Sequence, residues 1–182
     1  ILDYNDAELN PLLKSGGVEE MQKLSEKTGV QVYTVCADYF MEAPIHHENS
    51  EIAQESGKVL KQLLINGKNL GLTDIVIPCV DQSSLNGREA ENRFVKNVTP
   101  YLELAEESKI NLSLETDLAP EPFAELLKRF DSKRITVNYD TGNSASLGYD
   151  PQEELSCYGN RISDIHIKDR VLGGGSVVLG TG

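Results

Sequence analysis

The chain has 182 residues, 39% of them hydrophobic, which is enough for one sizeable core, and no shift in composition marks a second domain. A formal net charge of −12 and an isoelectric point near 4.7 argue against nucleic acid as a partner, because displacing counterions needs clustered Lys and Arg. Three scattered cysteines make no disulfide framework, no apolar run reaches the ~18 residues that cross a bilayer, and no leader pattern opens the chain, so a cytoplasmic protein with small-molecule partners and no membrane partner is expected.

The opening "ILDY" lacks an initiating methionine and reads as the end of a strand, which implies processing or truncation. Val18, Met21 and Leu24 then recur at helical spacing, and "VQVYTVCA" follows as a strand. The loop "MEAPIHHENS" carries His46 and His47, which would either form a solvated loop pair or line a functional mouth. A second helix carries Ile52, Val59, Leu60, Leu63 and Leu64, and "TDIVIPCV" is the next strand. The third helix runs from Ala90 through Phe94, Val98 and Leu102 to Ala105, with a kink or break expected at Pro100. The strand "INLSLET", a helix over Phe123, Leu126, Leu127 and Phe130, and the strands "RITVNYD" and "SDIHIKD" complete the series.

Strands alternating with helices imply parallel pairing through helical crossovers. A doubly wound open sheet and a (β/α)8 barrel both satisfy that alternation. No strand is followed by G-x-G-x-x-G, and a Walker loop is absent. Acid or imidazole groups instead recur at the ends of successive strands. Within "INLSLET" the period of two sets Ser113 and Glu115 against Leu112 and Leu114; within "RITVNYD" it sets Thr136, Asn138 and Asp140 against Ile135, Val137 and Tyr139; within "SDIHIKD" it sets Asp164, His166 and Lys168 against Ile165 and Ile167. Glu115, Asp140 and His166 thus share one face near the C-terminal ends of their strands, which in a parallel barrel is the mouth. Two carboxylates and an imidazole brought together call for compensation, and a divalent cation supplies it; one nitrogen and two oxygen donors suit Mn²⁺, Mg²⁺, Co²⁺ or Zn²⁺.

The stretches "LSLETDL", "VNYDTGNSASLGYD" and "DIHIKDR" followed by "GGGSVVLGTG" resemble the xylose isomerase-like barrels, a superfamily of sugar and sugar-phosphate isomerases and epimerases that also contains the apurinic-site endonucleases. The resemblance implies a parallel (β/α)8 TIM barrel whose metal is held by Glu, Asp, His and Glu on its fifth to eighth strands, the first three falling on Glu115, Asp140 and His166. On this mapping residues 1–182 are a single barrel domain truncated at both ends, covering about strands 2–7 of a fold that ordinarily needs ~250 residues. The activity it implies is metal-dependent isomerisation or epimerisation of a sugar or sugar phosphate, by proton abstraction α to a carbonyl through an enediolate, with Glu115 as the base.

Asn143 stands where many members place a substrate-contacting His, and would hydrogen-bond a sugar hydroxyl or serve as a turn residue. Lys168, Arg170 and the glycine-rich "GGGSVVLGTG" would bind an anionic substrate group through cations and backbone N–H groups, or the glycines would form a hairpin. Two other readings stand beside this one. An apurinic-site endonuclease needs more histidines than the three present, and a non-catalytic sugar-binding barrel would need no base. Homo-oligomer formation is left open by the sequence.

Overall fold

A computed structural model describes all residues, 1–182. After a short 3-10 turn at Ala7–Leu9, the elements run α1 (Gly17–Thr28), β1 (Thr34–Cys36), α2 (Tyr39–Glu42), α3 (Ser50–Leu70), β2 (Asp74–Cys79), α4 (Gly87–Val98), α5 (Leu102–Ser108), β3 (Asn111–Thr116), α6 (Pro120–Leu127), β4 (Ile135–Asp140), α7 (Thr141–Leu147), α8 (Pro151–Tyr158) and β5 (Ile162–His166). A small antiparallel hairpin, β6 (Asp169–Arg170) with β7 (Ser176–Val177), follows.

The five main strands are all parallel and lie in chain order, β1-β2-β3-β4-β5. A doubly wound sheet reverses its strand order at a switch point, and this sheet does not. It curls instead. Ser163 on β5 donates to Asp74 Oδ1 on β2 at 2.5 Å, although β3 and β4 lie between those strands in the sheet. A register shift at Val137/Asn138 accompanies the turn of Ser163 toward the inner side of the sheet, where it stays exposed and also meets Thr136 Oγ1 at 2.7 Å and Ser113 Oγ at 3.1 Å. The architecture is therefore an incomplete TIM barrel, with β1 to β5 forming its wall.

The hydrophobic faces explain why the sheet is wrapped by helices on its outside. Ile75, Ile77, Leu112, Leu114, Ile135 and Val137 alternate with the inward polar residues and join a single core of 29 buried residues that includes Leu60, Leu63, Leu64 and Phe94 from the helices. In α3 the buried positions Ala53, Ser56, Gly57, Leu60, Leu63, Leu64 and Gly67 follow the three-and-four spacing of one helical face. Asn49 caps its start by accepting from the Glu51 N–H at 2.8 Å, and Gly71, at φ 87°, closes its end. The expected break at Pro100 is present: α4 stops at Val98, a 3-10 turn spans Thr99–Tyr101, and α5 starts at Leu102. None of the helices is long and apolar enough to cross a membrane.

Three elements differ from the sequence reading. "ILDY" is not a strand, because only Leu2 pairs: its N–H donates to Cys36 O at 2.8 Å and its carbonyl accepts from Tyr39 N–H at 2.8 Å. Five barrel strands are thus present where about six were expected. The helices α7 and α8 carry no clear apolar period, since "TGNSASL" is poor in helix formers, and both are set by their caps. Asp140 caps the first through Asn143 N–H at 2.8 Å, and Asp150 with Pro151 behind it caps the second through Gln152 N–H at 2.7 Å.

Candidate metal centre

Glu115 and Asp140 close the inward faces of β3 and β4, 6% and 5% exposed, and His166 ends β5 beside them. Strand register brings them level: Asp140 pairs with His166, and Glu115 lies one strand further on. One donor atom from each of the three falls within 4.8 Å of the other two. His166 Nδ1 is 3.1 Å from Glu115 Oε2 and 3.8 Å from Asp140 Oδ2.

The scaffold holds Asp140 through one carboxylate oxygen and Glu115 through both. Asp140 spends Oδ1 on the cap of α7, while Oδ2 is buried and receives no hydrogen bond; Lys168 Nζ lies 2.8 Å from it as an ion pair without hydrogen-bond geometry. Glu115 Oε1 accepts from Asn143 Nδ2 at 2.5 Å and Oε2 from Asn138 Nδ2 at 2.8 Å, so two amides fix the plane of the carboxylate. The same Asn138 nitrogen is 3.0 Å from His166 Nδ1, a hydrogen bond only when that nitrogen carries no proton.

The charges respond to this crowding. Contacts with Asp140 and Glu115 outweigh burial and raise the His166 pKa to about 10. Burial pushes the Asp140 carboxyl up, but His166, Lys168 and the Asn143 amide outweigh it and bring it to about 2. Glu115 Oε2 is the nearer acid oxygen to the ring nitrogen, at 3.1 Å against 3.8 Å for Asp140 Oδ2. A buried carboxylate oxygen without a hydrogen bond, beside a second carboxylate and an imidazole that share its face, is a donor set that fits a divalent cation.

These groups line one wall of a cleft of about 560 Å³, together with Asn143, Lys168 and Arg170. Arg170 is braced: its Nη1 donates to Asn143 Oδ1 at 2.7 Å and its Nε to Gly174 O at 2.9 Å. Asn143 is more than a turn residue, since it sits buried in α7 and links Arg170 to Glu115.

Two parts of the sequence reading are corrected. In the glycine-rich segment the amides of Gly173, Gly174, Gly180, Thr181 and Gly182 are engaged within the chain, which favours the hairpin over an anion cradle. Gly173 N–H donates to Ser146 O at 2.7 Å, Gly174 N–H to Val171 O at 2.9 Å, and Gly180, Thr181 and Gly182 N–H groups converge on Asp169 Oδ2. The hairpin is what those glycines build. His46 and His47 are neither a solvated pair nor part of the cleft: His46 is 6% exposed against Phe94, its pKa lowered to about 4 by burial, and His47 Nδ1 accepts from Asn49 N–H at 2.9 Å.

The sequence reading also missed residues. Asn138 shares the parity of Asp140 in "VNYD", so its place beside Glu115 was legible from the strand period. Cys36, Asp38 and Asp81 also line the cleft, and strand parity did not select Asp38 and Asp81 because they lie in the turns after β1 and β2. Asp81 adopts φ 51°, the left-handed conformation that Asp tolerates better than most residues.

Residues 2–182 match the family described as xylose isomerase-like TIM barrel. A protein of Haemophilus influenzae, provisionally named L-ribulose-5-phosphate 3-epimerase, is 23% identical over a 151-residue alignment that covers 79% of this chain and 52% of that protein; the chain therefore spans about half the length of this curated relative. A solved L-ribulose 3-epimerase superposes with a TM-score of 0.72 at 18% identity, covering 91% of this chain and 58% of the other. A xylose isomerase-like TIM-barrel protein of Mycobacterium smegmatis, solved in complex with magnesium, superposes with a TM-score of 0.70 at 16% identity, covering 87% and 57%. The curled parallel sheet and the family match agree, and the chain belongs to the xylose isomerase-like TIM-barrel family.

Proposed function

We propose that the intact protein is a divalent-metal-dependent isomerase or epimerase of a sugar or sugar phosphate. The observation that carries this reading is the convergence of Glu115, Asp140 and His166 on one cleft, with Asp140 Oδ2 buried and free of hydrogen bonds. The kinds of protein this family's relatives are named for, a ribulose-phosphate and a ribulose epimerase, support the substrate class. The single core supports reading the 182 residues as one barrel domain.

Glu115, Asp140 and His166 would hold Mn²⁺, Mg²⁺, Co²⁺ or Zn²⁺, which when bound polarises a carbonyl and acidifies the adjacent C–H. Glu115 is the proposed base that takes the α-proton. Asn138 and Asn143 hold both of its oxygens, so the carboxylate meets the substrate in one orientation and pays little to reorganise. Asn143 and Arg170, joined by a hydrogen bond at the cleft wall, orient substrate hydroxyls, and Lys168 with Arg170 supplies positive charge for an anionic group. Two cations offset the cleft's carboxylates, which suits a small polar ligand better than a polyanion. The endonuclease reading is weakened further, because His46 and His47 lie away from the cleft and Asn143 stands in the ligand-rich wall.

Glu115→Gln in the intact protein tests this reading. Glutamine keeps the size and one ligand oxygen but removes the basicity. Turnover should fall by roughly two to four orders of magnitude. Exchange of the substrate α-hydrogen with solvent deuterium should fall in parallel. Full activity in the variant, or metal binding with no exchange in either protein, would favour the non-catalytic sugar-binding reading.

A further inference from the structure

The carboxylate oxygen that faces the cation position is already touched by a positive charge from the chain itself. Lys168 Nζ lies 2.8 Å from Asp140 Oδ2, whose side chain is only 2% exposed. This lysine is laid in place by its neighbours. Thr141 Oγ1 donates to Lys168 O at 3.0 Å and accepts from Lys168 N–H at 3.3 Å, which fixes the backbone. The lysine stem then crosses Gly142, where an added Cβ would stand 2.5 Å from Lys168 Cγ and 3.0 Å from Lys168 O. Both residues that follow Asp140 thus serve to fold Lys168 back over it.

A buried carboxylate is costly without a compensating charge, and the ammonium compensates it. A dication and an ammonium repel each other at such range, so each weakens the other's hold on the oxygen. We propose that Lys168 is a built-in competitor for the cation: its ammonium neutralises Asp140 in the metal-free protein and is displaced when a divalent ion enters, so that Lys168 sets the affinity of the centre. The inference rests on Glu115, Asp140 and His166 being the metal ligands.

Calorimetric titration of Mn²⁺ into the chelator-stripped intact protein tests it, in the wild type, Lys168→Met and Arg170→Met. Methionine keeps an unbranched stem to pack over Gly142 and carries no charge. Lys168→Met should bind Mn²⁺ about tenfold more tightly than the wild type, the size expected for losing one close, partly exposed charge. Its melting temperature should fall without metal and match the wild type with metal. Arg170→Met removes another cation of the same cleft, but its guanidinium bonds Asn143 and Gly174, not Asp140. Its affinity should change less than about threefold. Equal or weaker binding by Lys168→Met overturns the proposal, and so does a gain in Arg170→Met as large as in Lys168→Met, which would mark a diffuse field. If none of the three proteins binds Mn²⁺, the metal-centre reading itself fails and takes this inference with it.

Discussion

Glu154, 2% exposed on α8, ties the scaffold behind the cleft together, and replacing it by leucine should show how strongly. Its Oε1 accepts from Ser144 Oγ and from Tyr158 OH at 2.7 Å, and its Oε2 from Tyr139 OH at 2.9 Å. Ser144 is the neighbour of Asn143, so this carboxylate anchors the helix that presents Asn143 to Glu115. Leucine fills a similar volume and accepts nothing. Ser144 and Tyr158, both buried, lose their acceptor at about 1–3 kcal/mol each, while half-buried Tyr139 can turn to solvent. Removing a buried carboxylate returns part of this through relieved desolvation, which leaves a net loss of about 2–4 kcal/mol. With a urea slope of about 2 kcal/mol/M, the midpoint should fall by roughly 1–2 M. Glutamine keeps the size and an acceptor, and hydroxyls can turn to accept from its amide, so Glu154→Gln should cost under about 1 kcal/mol. Equilibrium urea unfolding of the metal-free proteins decides it. Midpoints that are equal for Leu and Gln, or a Leu midpoint within about 0.3 M of wild type, would refute the clamp.

The pH dependence of metal-free stability follows from the His166 ion pairs. A pKa raised to about 10 stabilises the fold fully below the ordinary histidine value near 6.5 and fades as pH climbs through about 10. The depressed Asp140, at about 2, contributes above its ordinary 3.8 and loses its contribution as pH falls through about 2. In chelator, the stability difference between wild type and His166→Gln should be level between about pH 4 and 6.5 and shrink toward pH 10; a difference that grows over that range contradicts the pairing. Gly142→Ala should displace the Lys168 stem at a cost of about 1–3 kcal/mol, a fall in melting temperature of roughly 2–10 °C. An unchanged melting temperature would mean that the stem does not pack there.

The sequence alone determined the strand-and-helix alternation and the face on which Glu115, Asp140 and His166 lie, because side-chain parity in a strand is a local property with a period of two. It also located the break at Pro100, where the missing N–H acts within one turn. Whether the sheet was open or curled could not be read from that pattern, since both architectures bury the same apolar faces. The tertiary structure decided it through the Ser163–Asp74 contact, between residues 89 apart in the chain. The same holds for His46, whose loop reads as polar and which is buried only because Phe94 of α4 packs against it. The glycines after β5 read equally as anion cradle or hairpin until Asp169 and Ser146 claimed their amides. Lys168 faces inward by parity, but its place on Asp140 comes from Thr141 and the bare Cα of Gly142 on a different element. Periodicity along one strand fixes which way a side chain points, and only the packing of several elements fixes what it meets.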